Sequence, residues 1–178
     1  MNNAVEPQQK WIEHDGHSMT HKPQKQYMGL AIEQVKLHTS ANEGGPFGAC
    51  IIKDNVVLSV THNTVLKEHN PTKHAEINAI AEACRKLNSH DLSGCIIYST
   101  TEPCPMCFSA IHWANISHVI YGTTISDVQK LGFNELSISN QTMKQLGNSA
   151  VNIIPDFQRA ACCQLLKYWT EHSNAQTY

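Results

Sequence analysis

Asn70-Pro71-Thr72-Lys73-His74-Ala75-Glu76-Ile77 and Thr101-Glu102-Pro103-Cys104-Pro105-Met106-Cys107-Phe108 decide what this chain folds around. Together they supply one imidazole, two thiols and one spare carboxylate. That is the ligand set of a zinc ion with an open fourth position and a proton carrier beside it. Pro105 suits the first position of a helix, where no backbone donor is needed. Cys104 then caps that helix and Cys107 falls in its first turn, where free N–H groups and the positive dipole end stabilise thiolates. His74 and Glu76 point to opposite faces if they sit inside a helix, so a shared site requires them at a helix end. Pro71 blocks an earlier start, Thr72 is the expected N-cap, and an apolar helical run follows.

A structural zinc knuckle needs a fourth protein ligand. His112, His118, Cys84 and Cys95 qualify by type alone, and the two cysteines read better as small core residues. Cys162-Cys163 reads as one core thiol and one partly exposed thiol. The spacing of His14, His17 and His21 fits a polar tail better than a second metal site.

Composition restricts the surroundings. The 178 residues carry 13 Lys and Arg against 15 Asp and Glu, for a net charge of −2. That length suits one domain with a substantial core, and the balance argues against a large nucleic-acid footprint. No apolar run reaches membrane length and no basic-then-apolar leader opens the chain, so the expected location is cytoplasmic with no membrane partner. Seven cysteines, two in metal spacing, suit a reducing compartment better than a disulfide framework.

Residues 1–23 read as a polar, His-rich arm, and 24–178 as one domain with a C-terminal helix and tail from about 156. Apolar spacing predicts a helix from Gln24 to Asn42. Strands are expected at Phe47–Lys53 and Val56–Thr61, joined by a turn at Asp54-Asn55. A helix then runs to Leu87. Further strands are expected at Cys95–Ser99, His118–Tyr121 and Val151–Ile154, with helices after Cys104, at Ser126–Leu131 and at Asp156–Thr170. Strands alternating with helices imply an α/β fold, a three-layer α/β/α sandwich.

With these elements placed, the chain from about residue 25 resembles the cytidine deaminase-like superfamily, within it the bacterial guanine deaminases and plant guanosine deaminases. The two opening stretches carry the resemblance, with Gly44-Gly45-Pro46-Phe47-Gly48-Ala49 and Gly132-Phe133-Asn134-Glu135. It implies a mixed five-stranded sheet and one Zn2+ per chain held by His74, Cys104 and Cys107. Glu76 is implied as the proton shuttle of a hydrolytic deamination. The first three segments are shared with tRNA-specific adenosine deaminases and some cytosine deaminases, so they speak to chemistry more than substrate.

Glu135 falls where guanine deaminases carry an acidic residue that binds and protonates the purine; Asn134 departs from the usual Asp. The resemblance further implies substrate contacts from Asn63, Phe47, Ala75, Trp113 and the terminal Tyr178. Without it, Asn63 reads as a turn residue, Phe47 and Trp113 as core, Glu135 as a surface carboxylate and Tyr178 as a frayed end. The implied reaction is guanine to xanthine plus ammonia, in a homodimer with C-terminal exchange between subunits. The alternatives are adenosine deamination in the tRNA anticodon and a non-catalytic zinc scaffold. The tail from Lys167 to Tyr178 holds one Lys and no Arg, which offers little to RNA. A scaffold is expected to have lost Glu76 or a ligand, and all four residues are present.

Overall fold

A computed structural model describes residues 22–174 and 176–178; the His-rich arm, with His14, His17 and His21, lies outside the described residues. The elements are α1 (Lys25–Thr39), β1 (Gly48–Lys53), β2 (Val56–His62), α2 (Val65–Glu68), α3 (Ala75–Leu87), β3 (Ile96–Thr101), α4 (Pro105–Trp113), β4 (His118–Thr123), α5 (Ile125–Gln129), α6 (Asn140–Gly147), β5 (Asn152–Ile154) and α7 (Arg159–His172). Five strands form one mixed sheet in the order β2-β1-β3-β4-β5. β1 runs antiparallel to both β2 and β3, while β3, β4 and β5 are parallel.

Those directions fix where a site forms. β2 and β3 both oppose β1, so they point the same way, and β4 follows β3. The segments leaving β2, β3 and β4 therefore emerge at one edge of the sheet, where open α/β sheets place their ligands.

Side-chain alternation builds two cores, one on each face. Ala49, Ile51, Ile97 and Val119 pack with Ala75, Ala79 and Ala83 of α3 and Phe108 and Ile111 of α4. Cys50, Ile52, Ile96, Tyr98 and Ile120 face Met28, Ala31 and Val35 of α1 and Cys162 and Leu165 of α7. The three-layer sandwich and its five-stranded sheet are as expected from the sequence. In the Asp54-Asn55 turn both residues have positive φ, 49° and 63°, the conformation a two-residue hairpin demands.

Some boundaries differ. The N-cap of α3 is His74, not Thr72, because residues 71–74 stay outside the helix with His74 extended. α7 starts at Arg159 and not Asp156, after Asp156 and Gln158 adopt left-handed φ values of 59° and 54°. Between the expected Ser126–Leu131 helix and the Val151–Ile154 strand lies α6, capped by Ser139, whose hydroxyl accepts from the Thr142 amide. α2 is an added short turn of helix.

Gly48 marks the closest approach of α1 to the sheet. A Cβ there would run into the Ala31 carbonyl oxygen and lie 2.8 Å from Val35 Cγ2. Gly48→Ala should therefore push α1 outward and destabilise the fold by about 1–3 kcal/mol, the cost of core overpacking. Urea denaturation reads this directly; an unchanged midpoint would show that α1 yields freely.

Candidate active site

His74 caps α3 and Cys104 caps α4, with Pro105 at the first helical position. Both caps are extended, with ψ values of 156° and 168°, which lets their side chains bend over the helix end. The Thr61 hydroxyl donates to the Ala75 carbonyl at 2.6 Å and the Ser59 hydroxyl to the Ala79 carbonyl at 2.9 Å, pinning α3 to β2. The convergence that the spacing demanded is present. His74 Nδ1 lies 3.6 Å from Cys104 Sγ and 3.6 Å from Cys107 Sγ, and the three donor atoms lie within 4.8 Å of one another.

These distances test the fit of a metal. Zinc at about 2.3 Å from sulfur and about 2.05 Å from nitrogen, at a tetrahedral angle, sets N···S at about 3.6 Å. His74, Cys104 and Cys107 match that spacing with no rearrangement. A structural site would need a fourth donor of the same kind. Among the described residues no other His, Cys, Asp or Glu joins this group.

The charges suit the same conclusion. Cys107, beside it, holds the Cys104 thiol down at about 4 against the cost of burial, and His74 adds to this. Cys107, next to that thiolate and buried, is pushed up. Burial disfavours the charged form of His74, but Cys104 and Glu76 outweigh it and raise the group. A bound cation replaces these protons by holding both sulfurs as thiolates.

Glu76 is 5 % exposed and burial pushes its carboxyl up. Ser99 Oγ donates to Oε1 at 3.0 Å, and Cys107 Sγ donates to Oε2 at 3.4 Å. The proton that Cys107 must lose to become a ligand already faces Glu76. A buried carboxyl beside a metal-ligand cluster is suited to accept and return protons.

Glu135 arrives on the segment leaving β4. Burial raises its carboxyl to about 7, and the charges of Cys104, His74 and Glu76 all act on it. Its segment is anchored through Glu102, whose Oε1 accepts from the Asn140 amide at 2.8 Å and whose Oε2 accepts from the Ile125 amide at 3.4 Å. Asn140 Nδ2 donates to the Pro103 carbonyl at 2.6 Å. The strap that carries Glu135 is thus tied at both ends to the loop that carries Cys104.

Asn63 is fully buried. Its Oδ1 accepts from the Val65 amide at 3.1 Å and from the Tyr178 hydroxyl at 2.6 Å, while Nδ2 finds no partner among the described residues. Tyr178 is held within its own chain. Its hydroxyl accepts from the Gly45 amide at 3.3 Å, its backbone oxygen from the Asn134 amide at 3.1 Å, and its ring meets Phe133 edge-on at 5.5 Å. Phe47 also meets Phe133 edge-on at 5.0 Å. Ala75 is the first residue of α3, beside the ligand cap.

Trp113 departs from its expected place. It is 80 % exposed, at the far end of α4, about 12 Å along the axis from Pro105 at 1.5 Å per residue. No wall of this chain's site is built from it. Phe47, Phe133, Tyr178 and Trp169 form an aromatic cluster instead; the Trp169 ring is 5.7 Å from Phe133 and its Nε1 donates to the Gly44 carbonyl at 3.3 Å. Trp169 and Ser99 were missed in sequence. Ser99 carries a signal, a small hydroxyl at a buried strand position between Tyr98 and Thr100.

A family model described as "Cytidine and deoxycytidylate deaminase zinc-binding region" matches residues 21–123. The chain is 35% identical to the guanine deaminase of Bacillus subtilis over 156 residues, spanning 86% of this chain and 96% of that one. It is 41% identical to the tRNA-specific adenosine deaminase of Aquifex aeolicus over only 95 residues, 53% of this chain and 62% of that one. Among solved structures, the guanine deaminase of Nitrosomonas europaea superposes with a TM-score of 0.74 at 29% identity, covering 82% and 83% of the two chains. A structure in complex with 2,6-diaminopurine gives 0.76 at 28% identity, covering 85% and 84%.

Cys107→Ala should take the purified protein from one zinc per chain to a small fraction of that, as read by metal analysis. Trp113→Ala should leave the metal content unchanged. Full zinc retention by the Cys107 variant would mean that another group supplies the third ligand.

Proposed function

Because the chain belongs to the cytidine and deoxycytidylate deaminase zinc-binding family, we propose that it hydrolyses guanine to xanthine and ammonia. What supports the reading most is Glu135, whose carboxyl burial raises to about 7 and on which the charges of Cys104, His74 and Glu76 act. The chemistry of zinc-dependent aminohydrolases needs the metal, when bound, to acidify a water and polarise it for attack. His74, Cys104 and Cys107 hold the ion. Glu76 takes one proton from the attacking water to the ring nitrogen, then carries the second, from the hydroxyl left on the carbon, to the departing amine as the carbonyl forms. Glu135 binds the purine edge bearing the amine and a ring N–H, and its shared proton lets it donate as well as accept.

The chain's remaining contacts fit a small base. Phe47 offers a ring face, Ala75 offers backbone polar groups beside the reacting carbon, and Asn63 Nδ2 offers a buried donor without a partner among the described residues. Tyr178 covers that end of the site. Such a cover excludes water from a free base but obstructs a flipped nucleotide that must keep its strand attached. The similarity to the Bacillus subtilis enzyme is 35% over 156 residues, against 30% over 141 for a tRNA-specific adenosine deaminase of Buchnera aphidicola; with the cover over the site, this favours the purine base over tRNA.

Seven free cysteines fit a cytoplasmic enzyme, and among the described residues no helix is long and apolar enough to cross a membrane. Exposed Trp113 and Leu146, at 80 % and 83 %, offer apolar surface for a homodimer, which sedimentation velocity would measure. The tail packs against Gly45, Asn63 and Phe133 of its own chain.

Ammonia release by the zinc-loaded protein against guanine, guanosine, adenine, cytosine and an anticodon stem-loop tests the substrate. Guanine should turn over, and activity confined to the stem-loop would overturn the proposal. Glu76→Gln should keep its zinc and lose at least about 100-fold in kcat, the scale of a general acid–base contribution. Near-normal turnover would remove Glu76 from the mechanism.

Glu135 adds a pH dependence. Its folded value lies above the ordinary carboxylate range, so it holds its proton below about 7 and releases it above. Guanine kcat/KM should therefore fall as pH rises through about 7, and Glu135→Gln should lower guanine turnover and abolish that limb. A limb that persists unchanged in the variant belongs to another group.

A further inference from the structure

A second group of metal donors stands at the same edge of the sheet, away from the cysteines. His38 lies in the last turn of α1, Glu43 in the loop that follows, and His62 ends β2; one donor atom from each lies within 4.8 Å of the others. His62 Nε2 is 2.7 Å from Glu43 Oε2, and the two side chains are only 13% and 15% exposed. The His38 and His62 rings stack at 3.9 Å with 14° between their planes.

The hydrogen bonds leave one imidazole lone pair free, on His38. His38 Nδ1 faces the Gln34 carbonyl at 2.9 Å. A carbonyl oxygen only accepts, so the proton sits on Nδ1 and Nε2 is left bare. Metal-binding histidines are held in this way by an outer-shell carbonyl. Gln34 Nε2 also approaches His62 Nδ1 at 3.4 Å. Lys67 Nζ donates to Glu43 Oε1 at 2.8 Å and leaves Oε2 toward the imidazoles. Beside them, a cavity bordered by His38, His62, Gly44 and Asn63 has about 10 Å³ of room, close to the minimum for one water.

We propose that His38, Glu43 and His62 form a second metal site for a borderline divalent ion such as Zn2+, with a water from the adjoining cavity as fourth ligand. Two imidazoles and one carboxylate are a competent set for such an ion. Binding releases the proton shared between His62 and Glu43 and tilts the stacked rings until both lone pairs meet the ion. That rearrangement makes the site weaker than the dithiolate centre, which already has tetrahedral spacing. The second ion therefore enters only after the first. It clamps α1, the Gly44–Phe47 loop and the end of β2 together, one residue from Asn63.

The test uses the full chain carrying one zinc, in a background where His14→Ala, His17→Ala and His21→Ala remove the imidazoles of the arm. Zinc is then titrated calorimetrically, with metal content measured after gel filtration. Content should rise from one to two per chain, with ring-nitrogen NMR shifts at His38 and His62. His38→Ala and, separately, Glu43→Gln should each weaken the second equivalent by at least the 10- to 100-fold that loss of even an outer-shell partner costs, with the first zinc retained. No second equivalent at millimolar zinc, or one that both variants bind equally well, overturns the proposal. Because the readout is metal content, the outcome does not depend on which substrate the enzyme takes.

Discussion

Two helices begin at one point, and the rest of the site depends on it. Each helix start leaves backbone N–H groups without partners, and here the caps are His74 and Cys104 themselves. Neither side chain caps its own helix by a hydrogen bond; both are turned to the shared cluster. The N–H groups and dipoles of both helices then face a pair of sulfurs that must be anionic to bind metal. Strand direction makes this meeting unavoidable, since β2 and β3 both run against β1 and release their chains at the same edge.

The same edge gathers everything else of consequence. The Gly44–Phe47 loop enters β1 there, Asn63 leaves β2 there, and the Glu135 segment leaves β4 there. Glu102 joins the last of these to the metal loop by accepting two amides from the strap. This buried carboxylate acts as a tie bar, and its backbone is continuous with Pro103 and Cys104. A displacement of the Glu135 segment is thereby coupled to the position of Cys104.

Much of this was legible in the sequence for physical reasons. The ligand types and spacing admit few alternatives, Pro105 declares a helix start, and the Asp54-Asn55 turn sits between alternating strands. Less legible were features whose logic is tertiary. α6 is short and polar, and it is fixed at its start by Ser139, Glu102 and Pro103. Trp113 matched a motif position, but its direction depends on how α4 ends, and it faces outward. Trp169 looked like one more apolar residue of α7, yet its indole N–H reaches the Gly44 carbonyl. The His38–Glu43–His62 cluster is spread over three elements with no diagnostic spacing.

Asn63 shows how the tail enters the chemistry without touching the metal. An asparagine amide can present either its oxygen or its nitrogen, and the two look alike in shape. Here the Val65 amide and the Tyr178 hydroxyl both donate to Oδ1, so Nδ2 is committed as a donor. A buried donor left unpaired costs about 1–3 kcal/mol, a cost removed by any ligand that offers an acceptor. With guanine as substrate, that acceptor is its ring carbonyl or a bare ring nitrogen. Adenine has an amine in place of the carbonyl and would set a donor against a donor. On the proposed reading, selectivity for an oxopurine rests partly on Tyr178, which holds the amide in one orientation.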